Sequence, residues 1–168
     1  MAATMQIHEM SALTTGTDKT SGTVRFKDAD NATVDTANPL VIPSVGSIQS
    51  YTKKVRAYME APPTTSISNL RWYSDGASGF GTGVSVSAKN IGITWTANAT
   101  TKQTGGADLF SYTSAAPLDG DTTDTGPFAP ADDDTYIGDL IEMQMFVYST
   151  ASQGALTPET LTFSYDEV

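Results

Sequence analysis

The sequence predicts an all-β protein, an antiparallel β-sandwich or jelly roll of about eight strands, with residues 1–168 forming one domain. Three observations carry that expectation. Several short segments alternate apolar and polar residues, the pattern of a strand with one face on a core and the other in water. Gly, Pro, Asn and Asp gather between those segments, where turns need them. Strong helix formers are sparse, and no stretch combines a 3.6-residue apolar period with caps. Hydrophobic residues make up 39% and charged residues 17% of the 168-residue chain. Thr and Ser fill the difference, and Thr suits a pleated surface. The length is enough to bury a substantial core, and no internal repeat points to a propeller or solenoid.

Taken in order, Met5–Met10 alternates weakly and reads as a first strand or a docking arm within residues 1–20. Residues 11–21 are small and polar, a loop. Gly22–Asp28 predicts a strand with Val24 and Phe26 inward and Arg25 and Lys27 outward, closed by the turn residues Asp28-Ala29-Asp30-Asn31. Asn38-Pro39 and Ile42-Pro43 bracket a short extended piece, because Pro biases its predecessor away from helix. Ile48–Glu60 fits a helical face through Tyr51, Val55 and Tyr58. It also fits a strand with Tyr51, Val55, Ala57 and Met59 on one side and Lys54, Arg56 and Tyr58 on the other. Pro62-Pro63 and the neighbouring strands favour the second reading.

Residues 64–89, TTSISNLRWYSDGASGFGTGVSVSAK, are the most fully specified stretch. Ser66–Tyr73 places Leu70 and Trp72 on one face and Asn69, Arg71 and Tyr73 on the other. Ser74-Asp75-Gly76 supplies a turn, and after Gly79, Gly81 and Gly83 the residues Val84, Val86 and Ala88 alternate with Ser85, Ser87 and Lys89. Strand, Gly-rich connector, strand: this predicts a hairpin or a close relative of one. Ile91, Ile93 and Trp95 continue the alternation as a further strand. Residues 97–135 turn to Thr, Gly, Ala, Asp and Pro. A structureless loop of that length is unusual in a compact domain. A short strand at Leu109–Tyr112 and contact with another subunit are therefore expected to order it. Tyr136–Ser149 is apolar on both parities, which predicts a central strand or one with a covered outer face. Leu161, Phe163 and Tyr165 form the last strand.

NLRWYSDG followed by GFGTGVSVSAK resembles a pattern in small structural proteins of tailed-bacteriophage particles. VRFKDADN with NPLVIP after it resembles the same group, so the likeness spans roughly residues 20–95. It implies a decoration-type minor capsid protein on the outside of the head, a viral protein of the virion assembled in the host cytoplasm. The partners implied are the major capsid protein or other virion proteins, with homo-oligomers inside a symmetric assembly. A neck, collar or tail protein of the same particle is the near alternative, and a carbohydrate-binding sandwich the more distant one.

Chemistry-bearing motifs are few, and no enzyme and no cofactor is expected. His8 is the sole histidine and has no G-x-S-x-G elbow to serve, so it reads as a polar strand residue. Cysteine is absent, which removes thiol chemistry and disulfides. Acidic residues fall mostly in loops, where a solvated carboxyl keeps an ordinary pKa and does no acid catalysis. Glu142 is the exception, within an apolar strand and read there as solvated or paired. Asp119, Asp121 and Asp124, with Asp132–Asp134, are the only metal suspects. They offer hard oxygens but not the spacing of a known calcium loop. Gly76, Gly79, Gly81 and Gly83 precede a strand, whereas a phosphate cradle needs a helix N-terminus. Tyr51, Tyr73 and Tyr112 could form a sugar-binding face if they point outward. Trp72 and Trp95 share parity with core positions and read as core.

The net charge of −10 is uneven. Residues 1–102 hold all nine basic residues and seven acids, hence +2, while residues 103–168 hold twelve acids and no base, hence −12. Such a surface repels phosphate backbones, so no nucleic acid is expected as a partner. No apolar run approaches the length of a membrane span, and the first residues lack the order of a secretion signal, so no membrane partner is expected either.

Overall fold

The computed structural model describes residues 2–154 and 156–167. Its strands are Thr4–Ala12 (β1), Thr15–Asp18 (β2), Ser47–Gln49 (β3), Lys53–Ala61 (β4), Ile67–Tyr73 (β5), Val84–Asn90 (β6), Ala107–Asp108 (β7), Leu118–Asp119 (β8), Thr135–Tyr148 (β9) and Thr162–Glu167 (β10). The protein is all-β. Ten strands stand among the described residues where about eight were expected, and β7 and β8 are two residues each. A seven-stranded sheet runs β2-β1-β4-β9-β6-β7 with β3 also on β9, and a three-stranded sheet runs β10-β5-β8. Every ladder is antiparallel. No helix among the described residues is long and apolar enough to cross a membrane.

The two sheets share one core. Val55, Ala57 and Met59 from β4 and Val86 and Ala88 from β6 meet Ile67, Leu70 and Trp72 from β5 in a single buried cluster. Trp72 is 1% exposed and packs on Phe163 of β10 at 4.8 Å between ring centroids. Truncating an aromatic so buried costs about 3–5 kcal/mol. Hence the parity read for Leu70 and Trp72 is the observed one.

Strand β9 is central, flanked by β4 on one side and β6 on the other. Its second apolar parity has two causes. Gln103 covers part of its outer face, donating its backbone N–H to Gln144 and its side-chain amide to the Glu142 carbonyl. A bulge also interrupts the ladder: Val55 faces Ile141 and Ala57 faces Ile137, so Arg56 alone stands opposite Gly138, Asp139 and Leu140. Gly138 takes φ +67°, and a Cβ there would meet the Gly120 carbonyl oxygen at 2.6 Å. Gly120 in turn donates to Leu70 O at 2.8 Å and accepts from Asp139 N at 2.7 Å. It thus stitches the small sheet to the large one at the bulge.

Several sequence expectations are corrected. The Ser66–Ala88 stretch is no hairpin: β5 pairs with β10 and β8, whereas β6 pairs with β9 and β7. The connector between them crosses from one sheet to the other, so both apolar faces enter the shared core from opposite sides. Gly22–Asp28 is extended but unladdered, and Lys27 is not outward. Lys27 is 3% exposed, its ammonium held by the Thr33 carbonyl and Asp35. Ile91–Trp95 leaves the sheet after two hydrogen bonds to Leu140, turning at Gly92 with φ +63°. Ile93 is consequently exposed, and half-buried Trp95 lies outside the core with Lys54 Nζ 5.2 Å from its ring centroid.

Leu109–Tyr112 forms not a strand but a 3-10 turn, Leu109–Ser111, capped by the Asp108 carboxylate accepting from Phe110 N. Leu109 and Phe110 are buried, so the apolar island anchors the long segment as expected while its geometry differs. Within this chain that segment is ordered by β8 on β5, by Phe128 on Ile67, and by Asp139. The N-terminal stretch resolves in favour of a strand, because β1 lies between β2 and β4.

Candidate functional site

The alternation that buries one face of β1, β4 and β9 leaves the other face outward. There the register sets Gln6 opposite Tyr58, His8 opposite Arg56, and Tyr58 opposite Tyr136. These residues, with Thr14, Glu60, Asp134 and Thr135, line an open cleft of about 700 Å³.

Its floor is aromatic. His8 stacks on Tyr58 at 4.7 Å and 13°, and Tyr136 meets both rings edge-on at 5.4 and 5.0 Å. Hydrogen bonds lock the imidazole. The Gln6 side-chain oxygen can only accept, so Nε2 donates to it at 2.7 Å, leaving Nδ1 to accept the Tyr136 hydroxyl at 2.9 Å. Burial pushes the His8 pKa below its usual range, against a smaller opposing pull from Asp18. The Tyr58 hydroxyl donates to Asp134 in a short hydrogen bond. That bond, then burial and the charges of Asp134 and Asp133, push its pKa up to about 12. Tyr136 is likewise raised, by burial first.

Arg56 closes one end of the cleft with its charge already committed. Nη2 meets Asp124 at 2.7 Å and Nε donates to Gly138 O at 2.7 Å. Glu60, at the other end, is exposed. Both ring nitrogens of His8 are engaged, so the cleft presents aromatic surface, carboxylates and an amide as binding groups.

The metal suspects are dispersed by the fold. Asp124 turns to Arg56. Asp121 lies near Leu70 N and beside Asp119, and burial, then the hydrogen bond with Asp119, raises its pKa. Asp132 accepts from Ala129 N, and Asp134 from Tyr58. Among the described residues no group of three or more His, Cys, Asp or Glu side chains converges as a metal site.

Glu142 is paired and not solvated. Lys54 and Lys89 stand on either side of it in register and reach it at 3.0 and 3.4 Å, and Gln103 Nε2 donates at 3.1 Å. Burial alone would raise its pKa; the bonds from Gln103 and Lys54 outweigh that and hold it below the usual range.

The aromatics proposed from sequence lie on separate segments, and no ring contact joins them among the described residues. Tyr51 precedes β4, Tyr73 ends β5, and Tyr112 follows the 3-10 turn packed against the core. The cleft uses Tyr58 and Tyr136 instead. Tyr58 has outward parity in the strand reading of Ile48–Glu60, whereas Tyr136 lies in a run apolar on both parities, and which residues become neighbours depends on strand order. No protein-family model, curated protein or solved structure matches this chain.

Proposed function

We propose that the chain is a structural, non-catalytic protein of a tailed-phage virion, of the decoration type that sits on the outside of the head and stabilises the shell. The carrying observation is the likeness of NLRWYSDG, GFGTGVSVSAK and VRFKDADN to small structural virion proteins. A sandwich or jelly roll at the finer level of fold belongs to the same reading, since two antiparallel sheets share one core. So do the major capsid protein as partner, assembly in the host cytoplasm, and homo-oligomers set by the symmetry of the shell.

The attachment surface in this reading is the segment between β2 and β3. Val34, Val41 and Val45 are 53%, 70% and 78% exposed there, within the near-neutral half of the chain. Each contact is weak, and symmetry multiplies it.

The test is co-sedimentation of the purified protein with capsids lacking it, followed by imaging of the added mass. Saturable binding at regular sites on the shell supports the proposal. Binding confined to a portal vertex or tail moves the protein to the neck, collar or tail, and no binding to any particle overturns the virion reading. Val41→Asp with Val45→Asp should weaken binding about tenfold or more, 1.4 kcal/mol, while thermal stability is unchanged.

A further inference from the structure

The outward cleft of β1, β4 and β9 has a composition that narrows its ligand. We infer that it binds a neutral saccharide, with Tyr58 and Tyr136 as the aromatic floor and Gln6, Glu60 and Asp134 as hydrogen-bonding groups. The inference stands independently of the virion reading.

The cleft's ionised groups exclude anions. Its one cation, Arg56, is spent on Asp124 and a backbone carbonyl. His8 is held neutral, with its Nδ1 lone pair turned to Tyr136. Glu60 and Asp134 then leave the cleft with uncompensated negative charge, so a phosphate or carboxylate ligand would be repelled. A hydrocarbon ligand is disfavoured by the same groups, which would lose water without gaining partners.

What remains is a ligand rich in hydroxyl donors that also has an apolar face. Carboxylate oxygens of Glu60 and Asp134 accept from hydroxyls, while the Gln6 amide nitrogen donates, its oxygen already used by His8. Tyr rings pair an apolar body with a polar tip, which suits the CH-bearing face of a sugar ring. The rings are held rigid by the His8 stack and the Tyr58–Asp134 bond, so little conformational freedom is lost on binding. The cleft is open to solvent, so it offers a ligand one face and not an enclosed cavity. An ammonium ligand would need the same ring face, of which His8 already covers one side at Tyr58. It would also be drawn by Glu60 and Asp134, so choline is the competing probe that the titration has to separate from the sugars.

The experiment is a two-dimensional amide NMR titration of the intact protein with glucose, galactose, mannose and N-acetylglucosamine. Choline and inorganic phosphate serve as comparison probes. Saturable shifts at Gln6, His8, Tyr58, Glu60 and Tyr136 with at least one sugar, and none there with phosphate, are expected. Tyr58→Ala should weaken that sugar about tenfold, 1.4 kcal/mol. Glu60→Gln and Glu60→Ala, which leave the aromatic stack in place, should each weaken it several-fold with an unchanged fold. These two variants carry the test if Tyr58→Ala fails to fold. Absence of shifts with every sugar, shifts only outside the cleft, or a response to choline or phosphate in place of sugars would overturn the inference.

Discussion

Asp139 ties the loop after β8 and the end of β6 to β9. It is 1% exposed and accepts from the Asn90 amide, the Thr122 hydroxyl and the backbone N–H groups of Thr123 and Asp124. Burial by itself would raise its pKa; the donors of Asp124, Asn90, Thr122 and Thr123 outweigh it and hold the carboxyl below its ordinary range. Folding therefore favours the ionised form. This contribution is complete above the unfolded value of about 4 and is lost as pH falls through the depressed folded value. Asp139→Asn should destabilise by about 2–3 kcal/mol at neutral pH, because an amide turns two of its acceptor sites into donors facing donors. The same substitution should flatten the acid limb of stability against pH, measured by urea unfolding at a series of pH values. In the sequence Asp139 is a polar break in an apolar run; three of its four partners lie in a loop whose path the run does not reveal, and the fourth, Asn90, ends β6. His8 was easier to place as a polar strand residue, and β1 carries it as such, but its stack on Tyr58 depends on β1 lying beside β4.

At the scale of elements, the strands with clean alternation were readable and the ladders between them were not. β5, β6 and β10 follow segments with clean apolar alternation, whereas β4 follows a segment that also fits a helix and β9 one that is apolar on both parities. Gly22–Asp28 and Ile91–Trp95 show the same period yet join no sheet, since alternation measures burial of one face and not the presence of a ladder partner. The β9 bulge is the junction on which the small sheet depends. Gly138→Ala would place a Cβ against Leu70 and the Gly120 carbonyl while holding a left-handed backbone. The expected cost is about 3 kcal/mol or more, from strain and overpacking together. A chemical-denaturation midpoint shifted by less than half that expectation would show that the junction yields easily.

For the molecule as a whole, the charge asymmetry turns out to be partly a pairing between halves. Lys54 and Lys89 meet Glu142, Arg56 meets Asp124, and Arg71 meets Asp166, each joining a base from residues 1–102 to an acid from 103–168. Of these, Lys54–Glu142 is the most enclosed, with side chains 0% and 10% exposed, and Lys54 also holds Asn98 of the covering loop. Lys54→Met should cost about 3–5 kcal/mol, since it leaves a carboxylate buried with its nearest cation gone. The double variant Lys54→Met with Glu142→Leu should recover a large part of that loss, because an apolar pair needs no solvation. Thermal or urea unfolding of the two variants side by side measures the difference. The acids without such partners, among them Asp108, Asp133 and Glu159, keep the surface of the C-terminal half negative.

The sequence by itself determined the all-β class, the inward parity of Leu70, Trp72, Val86 and Ile141, and the anchoring role of the Leu109–Tyr112 island. Those are local consequences of side-chain period and composition. Tertiary structure alone decided that β5 and β6 belong to different sheets, that Lys27 and Glu142 are buried and paired, and that Gln6, His8, Tyr58 and Tyr136 form one cleft. These properties depend on which strands become neighbours, and a period-two pattern specifies a face without naming the strand that will lie beside it.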